Sequence, residues 1–436
     1  MLNAAHIWPI SAEVRSGRLY LGGCDTVALA DAYGTPLYLL DEATVRGAMR
    51  AYQTAFGSTG LQVRIHYASK ALLNLALAQI VAQEGLGLDV VSGTELLVAR
   101  RAGLPMAHVH MHGNAKSDAE MERALTWGVG SLVVDNLDEL ARLAQLSAGR
   151  SQPQGVLLRL APEIEAATHA HIATGGSGSK FGLPLAALPA AVQQLLATPS
   201  LRLDGLHAHI GSQLFALDEL CATLEVLVQA AAQVQRDYKL TMRELSPGGG
   251  LGVPYTATQP LPDLTEYAAR LAQTLRSACA AHGLPLPRLT LEPGRSIVAR
   301  AGVALYRVVA RKVQHGQVQY LHIDGGMADN LRPALYGANY SALLANQASA
   351  PPGPPVAVAG RYCEAGDVLL RDAALPPAVP GDLLAVATTG AYTLSMASNY
   401  NLTPRPALLL LGNGSAQLIQ RREREEDLLA RDHVLG

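Results

Sequence analysis

Between about Leu61 and Arg295 the chain repeats one pattern eight times: a short apolar run, a polar or glycine-bearing tip, then an Ala/Leu-rich stretch with helical spacing. The predicted strands are Leu61–Tyr67, Leu86–Val91, His108–His112, Ser131–Val134, Gly155–Leu160, Leu203–His209, Arg243–Ser246 and Arg288–Leu291, with helices such as Leu72–Glu84 and Leu217–Gln235 between them. Eight alternations in roughly 240 residues match a (β/α)8 barrel of the TIM type better than an open doubly wound sheet of five or six strands.

After Arg300 the texture changes. Short β-rich runs at Val303–Val308, Gln319–Asp324, Val356–Ala359, Leu383–Ala387 and Ala407–Leu411 are separated by Pro and Gly, which predicts an all-β domain. The expected organisation is an α/β barrel over 42–298, a C-terminal β domain over 299–436, and an N-terminal segment, 1–41, that contributes to the β domain. The charge run Arg421–Asp427 is expected to be a solvated final helix.

Composition narrows the function class. Of 436 residues, 49% are hydrophobic and 16% charged, enough to bury two cores, so the whole chain is not disordered. Thirty-four basic against 36 acidic residues leave a formal charge of -2, without the basic field that holds a phosphate backbone; nucleic acid is not an expected partner. Cys24, Cys221, Cys279 and Cys363 lie far apart with no Cys-x-x-Cys pair, which fits neither a disulfide framework nor a zinc ribbon and suggests a reducing compartment. Met1 to Tyr20 lacks a cationic start followed by an unbroken apolar core, and no apolar run reaches the roughly 18 residues of a membrane span. The expectation is a cytoplasmic protein with no membrane association.

In a (β/α)8 barrel the chemistry belongs at the C-terminal ends of the strands. There the first strand leads to Lys70, the second to Asp89 and Ser92, the third to His112 and Asn114, and the fourth to Asp135. The fifth carries Arg159, the sixth His209-Ile210-Gly211-Ser212, the seventh Gly248-Gly249-Gly250 and the eighth Glu292-Pro293-Gly294-Arg295. Singly, each has an ordinary explanation as a surface residue, a tight turn or an ion pair. Together, an amine, a glycine-rich anion cradle with a guanidinium, a flat ring and a carboxylate match the needs of pyridoxal 5'-phosphate. Its aldehyde forms a Schiff base with a lysine, its phosphate seeks backbone N–H groups and a cation, and its ring nitrogen needs an anionic partner.

The His-x-His patterns admit a rival, a metal-dependent barrel hydrolase, because His207 and His209, or His108, His110 and His112, share one strand face. A metal would leave the glycine run and Glu292-Pro293-Gly294-Arg295 without work, and no acidic ligand set stands out on the later strands. No metal is therefore expected, and His108 and His110 are expected to be ordinary strand residues.

The same residues sit in a longer series of motifs: Tyr33-Gly34-Thr35-Pro36-Leu37-Tyr38, Tyr67-Ala68-Ser69-Lys70, Asp89-Val90-Val91-Ser92-Gly93, His112-Gly113-Asn114-Ala115-Lys116-Ser117 and Ser179-Lys180-Phe181-Gly182. The second half adds His207-Ala208-His209-Ile210-Gly211-Ser212-Gln213, Asp324-Gly325-Gly326-Met327, Arg332-Pro333-Ala334-Leu335-Tyr336, Cys363-Glu364-Ala365-Gly366-Asp367 and Gly390-Ala391-Tyr392. With these motifs in one order along nearly its whole length, the sequence resembles the diaminopimelate decarboxylases. These are pyridoxal-phosphate enzymes of the alanine-racemase-like fold class that make L-lysine from meso-diaminopimelate.

The resemblance implies that Lys70 carries the cofactor, His209 stacks on its ring and Glu292 pairs with its nitrogen. Ser212, Gly249, Gly250, Pro293, Gly294, Arg295 and Tyr392 would hold the cofactor's phosphate end. Arg295, Arg332, Tyr336, Glu364 and Tyr392 would meet the substrate. Cys363, reaching in from the partner subunit of a homodimer with composite sites, would be the proton donor. A thiol suits that role, since its reference pKa of about 8.5 leaves it mostly protonated near neutrality. Departures are small: Ala365 stands where Ser is frequent, and Leu402-Thr403-Pro404 replaces a more usual Ser-Arg-Pro before Arg405.

Relatives on the same barrel decarboxylate arginine or ornithine, which end in a cation alone. Arg332, with Arg295 nearby, would bind a distal carboxylate and repel a bare distal cation, while Glu364 takes the distal ammonium. The alternatives are a decarboxylase of another basic amino acid or polyamine precursor and, from a different class, a catalytically inactive regulatory homologue. The latter should lack the lysine or the acid, and both Lys70 and Cys363 are present.

Overall fold

All eight expected barrel strands form, and they close on themselves. In the computed structural model of the chain, which describes residue 2, residues 4–164 and residues 179–435, the parallel strands are Val63–Ala68, Gly87–Val90, Val109–Met111, Ser131–Val134, Gln154–Ala161, Leu201–His207, Glu244–Ser246 and Arg288–Leu291. They pair in sequence order, and the last returns to the first with Leu289 opposite Val63 and Leu291 opposite Ile65. The barrel unit comprises Met49–Gly252 and Pro262–Gly294.

Caps set where the crossover helices begin. Asn74 accepts the Leu77 N–H, so the helix starts at Leu75 rather than at the expected Leu72 and runs to Gln83. Ser92, Ser117 and Asn136 start the next three helices the same way, Ser117 in a reciprocal capping box with Glu120. The helix Leu217–Tyr238 continues three residues past the expected end and stops where Lys239 adopts a left-handed conformation.

Barrel interiors are ordinarily layers of Val, Ile and Leu. Here His66, Asp89, His110, His112, His207, Glu244, Ser246 and Glu292 are all buried on the barrel strands or just after them. Burying so many polar groups costs free energy unless they satisfy one another.

The other unit comprises Met1–Ala48, Val253–Leu261 and Arg295–Gly436. Its spine is the long strand Gly302–Gln314, which pairs antiparallel with Leu37–Asp41, Gln317–Ile323 and Leu383–Val386. Leu37–Asp41 pairs in turn with Ala407–Gly412, in parallel. All five of its residues are buried, as in a central strand covered on both faces. Leu37, Leu39, Val303, Leu305, Leu383, Ala385, Leu409 and Leu411 share one core with Ile7, Trp8, Leu19 and Leu21. The expected final helix is shorter and later than the charge run, at Glu425–Leu429, with Arg421 bound to Asp427 ahead of it. Among the described residues no helix is long and apolar enough to cross a membrane.

Candidate active site

At the C-terminal end of the barrel the first and eighth strands are tied where their loops leave, because the Ala68 N–H donates to the Pro293 carbonyl at 3.1 Å. The chain then makes one 3-10 turn, Ser69–Ala71, which carries an exposed Lys70. Ser69 donates to Glu95 at 2.8 Å, and the Val91 N–H reaches the same carboxylate at 2.6 Å. Burial raises the Glu95 pKa against these two donors and the nearby Lys70 charge.

The glycine run closes against its neighbours. Glu292 donates its N–H to the Gly248 carbonyl at 3.0 Å, and the Gly249 N–H points at Nδ1 of His209, 3.4 Å away. A Cβ on Gly249 would lie 2.2 Å from the Glu292 carbonyl, and one on Gly250, at φ +109°, would lie 2.7 Å from the Gly211 carbonyl. Only glycine lets the loops bearing His209, Ser212 and Glu292 approach this closely. Burial, reinforced by Lys70 and Arg159, holds the His209 pKa well below its ordinary value, so its ring is neutral.

Glu292 lies in a buried layer of acids and imidazoles. Nε2 of His207 is 2.9 Å from one carboxylate oxygen, and the Ser246 hydroxyl donates to the other at 2.9 Å. His112 Nε2 stands 3.8 Å from Glu292 and 3.5 Å from Asp89, whose Oδ1 meets His66 Nδ1 at 3.0 Å. Burial and Asp89 push the Glu292 pKa up, but His207 and His112 bring it below its ordinary value. Burial likewise opposes ionisation of Asp89, and His112 and His66 overcome it. Arg159, also buried, lies 3.7 Å from Asp135 and stacks 4.5 Å from the centre of the Phe181 ring.

These residues fit pyridoxal phosphate. Among the described residues Asp89 Oδ2 and His112 Nε2 are buried without a hydrogen-bond partner, the Glu292 pKa is held below its ordinary value despite burial, and the glycine loop presents backbone where side chains would fill the space. The metal alternative takes a different shape from the one the spacing suggested. Among the described residues Asp89, His110, His112 and Glu292 could ligate an ion, their donor atoms lying within 4.8 Å of one another. His207 and His209 are outside that group, and His108 is exposed. Folding brings the two acids to the histidines, which sequence reasoning had not foreseen. Both acids are already engaged, Asp89 by His66 and Glu292 by His207 and Ser246.

In the β-rich unit a second cluster forms around two buried guanidiniums. Arg295 donates to the Tyr255 hydroxyl at 2.7 Å and lies 4.6 Å from the centre of the Tyr392 ring. Arg332 opens the short helix Arg332–Tyr336, donates to the Tyr340 hydroxyl at 2.6 Å and sits 4.3 Å over the Tyr255 ring. No acid pairs with Arg332 among the described residues, and its Nε is buried without a partner. Cys363 and Glu364 are exposed; the Cys363 N–H donates to the Asn401 side chain at 3.2 Å, and Glu364 accepts the Tyr400 hydroxyl at 2.8 Å. Thus Lys70, His209, Gly249, Gly250, Glu292 and Pro293 gather in the barrel unit, and Arg295, Arg332, Tyr336 and Tyr392 belong to the β-rich unit. Sequence reasoning missed Ser246, Tyr255 and Tyr340. Ser246 precedes Pro247 and the glycine run, which was a usable signal; the two tyrosines carry none.

Residues 42–299 match the family model described as the pyridoxal-binding domain of pyridoxal-dependent decarboxylases. The diaminopimelate decarboxylase of Bacillus subtilis is 42% identical over 97% of both chains. The crystal structure of diaminopimelate decarboxylase from M. jannaschii in complex with L-lysine superposes with a TM-score of 0.91 at 31% identity, covering 100% of this chain and 99% of that one. The lysine/ornithine decarboxylase of Vibrio vulnificus, in complex with cadaverine, gives 0.76 at 25% identity over 89% of this chain and 96% of that one.

Proposed function

The chain belongs to the diaminopimelate decarboxylases within the pyridoxal-dependent decarboxylase family, and from that membership we propose that it converts meso-2,6-diaminopimelate to L-lysine and CO2. The observation that carries the choice of substrate is Arg332. A buried guanidinium surrounded by tyrosines, with no acid paired to it among the described residues, is a standing receptor for a ligand carboxylate. A substrate with a bare distal ammonium would meet like charge there and be rejected.

The proposed cofactor is pyridoxal 5'-phosphate, held by Lys70, by His209 on its ring, by Glu292 at its nitrogen, and by Ser212, Gly249, Gly250, Pro293, Gly294, Arg295 and Tyr392 at its phosphate. When bound, it supplies the electron sink that loss of a carboxylate requires. The protein's own groups do the rest. Ionised Glu292 retains a proton at the ring nitrogen, and neutral His209 offers a flat face without adding charge. Arg332, with Arg295 and Tyr336 beside it, orients the distal carboxylate, and Glu364 receives the distal ammonium. The Cys363 thiol carries the proton destined for the α-carbon. Cys363 and Glu364 are assigned to the neighbouring subunit's site in a homodimer, a reading supported by their exposure. The four free cysteines fit a reducing, cytoplasmic compartment.

Protein reconstituted with pyridoxal phosphate should release CO2 and L-lysine in equal amounts from meso-diaminopimelate. Lys70→Ala should abolish turnover, and borohydride trapping of the wild type should label Lys70. Label on a different lysine, or preferential turnover of L-ornithine, would overturn the assignment.

A further inference from the structure

Glu292 is gripped by two donors that the reaction does not otherwise employ. His207, 1% exposed, sets Nε2 2.9 Å from one carboxylate oxygen, and Ser246 donates its hydroxyl to the other at 2.9 Å. Ser246 is itself anchored, because its oxygen accepts the Gly248 N–H at 3.1 Å. Burial lowers the His207 pKa against the pull of Glu292, which favours the neutral ring with a single N–H. Nδ1 of His207 is buried and has no hydrogen-bond partner among the described residues. A proton on Nδ1 would leave a buried donor unpaired and turn a lone pair against the carboxylate; a proton on Nε2 avoids both costs. The ring is therefore the Nε2–H tautomer and donates to Glu292.

The surroundings explain why such a grip is needed. Burial opposes a second anion in this layer, and Asp89 opposes it further. His112, 3.8 Å away, supports it, and Arg159 is near enough to act on Glu292 through its charge. Two carboxylates this close inside a barrel share a proton unless direct donors hold the second one ionised. A carboxylate with a donor on each oxygen is also fixed in its plane.

We propose that His207, through its Nε2–H, and Ser246 are positioning residues that keep Glu292 ionised and aimed, so that it can hold the proton on the cofactor's ring nitrogen. The inference rests on Glu292 being the partner of that nitrogen. Losing the His207 donor lets Glu292 take up a proton and the ring nitrogen give one up. Decarboxylation then slows, while substrate binding through Arg332 is untouched.

The test uses full-length protein reconstituted with pyridoxal phosphate labelled with 15N in the ring, whose chemical shift reports nitrogen protonation across about pH 6–9. The wild type should stay protonated throughout. His207→Met should shift toward the neutral-pyridine value with a midpoint inside the range, and should lower kcat by about tenfold or more with KM for meso-diaminopimelate within about twofold. His207→Gln, whose amide can still donate to Glu292, should recover most of both. Ser246→Ala should move the shift in the same direction, and it decides the matter if His207→Met does not fold. A nitrogen that stays protonated in His207→Met, or in Ser246→Ala where the former cannot be made, overturns the proposal, as does a His207→Gln variant no better than His207→Met. Glu292→Gln separates the two levels: if its ring nitrogen also stays protonated, the fault lies in the pairing of Glu292 with the cofactor and not only in the role of His207.

Discussion

Arg332 is 6% exposed, yet among the described residues its guanidinium is met by the Tyr340 hydroxyl and the Tyr255 ring rather than by an acid. Hydrogen bonding and cation–π attraction hold the charge in the free protein and leave it open to a carboxylate. Replacing it removes a charge-assisted, partly buried pair worth about 2–5 kcal/mol. Arg332→Met should therefore raise KM for meso-diaminopimelate by roughly 30-fold or more, with cofactor affinity within about twofold. Separate titrations of cofactor and substrate check this; a variant that loses the cofactor while KM is unchanged would assign Arg332 to the cofactor instead. The residue itself was legible in Arg332-Pro333-Ala334-Leu335-Tyr336. Its tyrosine bed was not, because Tyr255 lies 77 positions earlier in a stretch with no polar pattern to mark it.

At the scale of elements, one buried acid links a turn to two strands. Asp329 accepts the Tyr38 hydroxyl at 3.0 Å from Leu37–Asp41, the Tyr306 hydroxyl from Gly302–Gln314, and the Gly326 N–H at 2.9 Å. Burial outweighs these donors and pushes its pKa up to about 6. The folded state then holds a proton between pH 4 and 6 that the unfolded chain has lost, so the contribution of this group to stability grows as pH falls and is lost as pH rises through 6. The stability of the wild type relative to Asp329→Asn should improve by about 2.4 kcal/mol between pH 7.5 and pH 4. Denaturant unfolding of both proteins at the two pH values measures it, since titrations shared by the pair cancel. A difference independent of pH would mean that Asp329 titrates normally.

At the scale of the whole molecule, Lys70 and the glycine cradle belong to the barrel unit, and the exposed Cys363 and Glu364 belong to the β-rich unit. If Cys363 serves a neighbour's site, Lys70→Ala and Cys363→Ala should rescue each other. Random pairing makes about half the dimers mixed, each with one doubly damaged and one intact site, so roughly a quarter of all sites should work. Co-refolding the two variants with differential tags reads the outcome. Activity that stays at the level of the separate mutants despite confirmed mixing would refute the shared site.

What the sequence determined alone is what nearest-neighbour chemistry can encode. The eight alternations specify strands and crossover helices because each period is written locally, and Lys70, the glycine run and Glu292 follow because barrel geometry puts strand ends on one face. Tertiary structure decided the partnerships. Leu37–Asp41 became a buried strand only by lying between Gly302–Gln314 and Ala407–Gly412, some 260 and 370 positions away. His207 and Ser246, 85 and 46 positions before Glu292, became its donors through strand register. Spacing says that a histidine lies on a strand face; which carboxylate it meets, and on which nitrogen it then keeps its proton, depends on barrel closure and on how deeply the pair is buried.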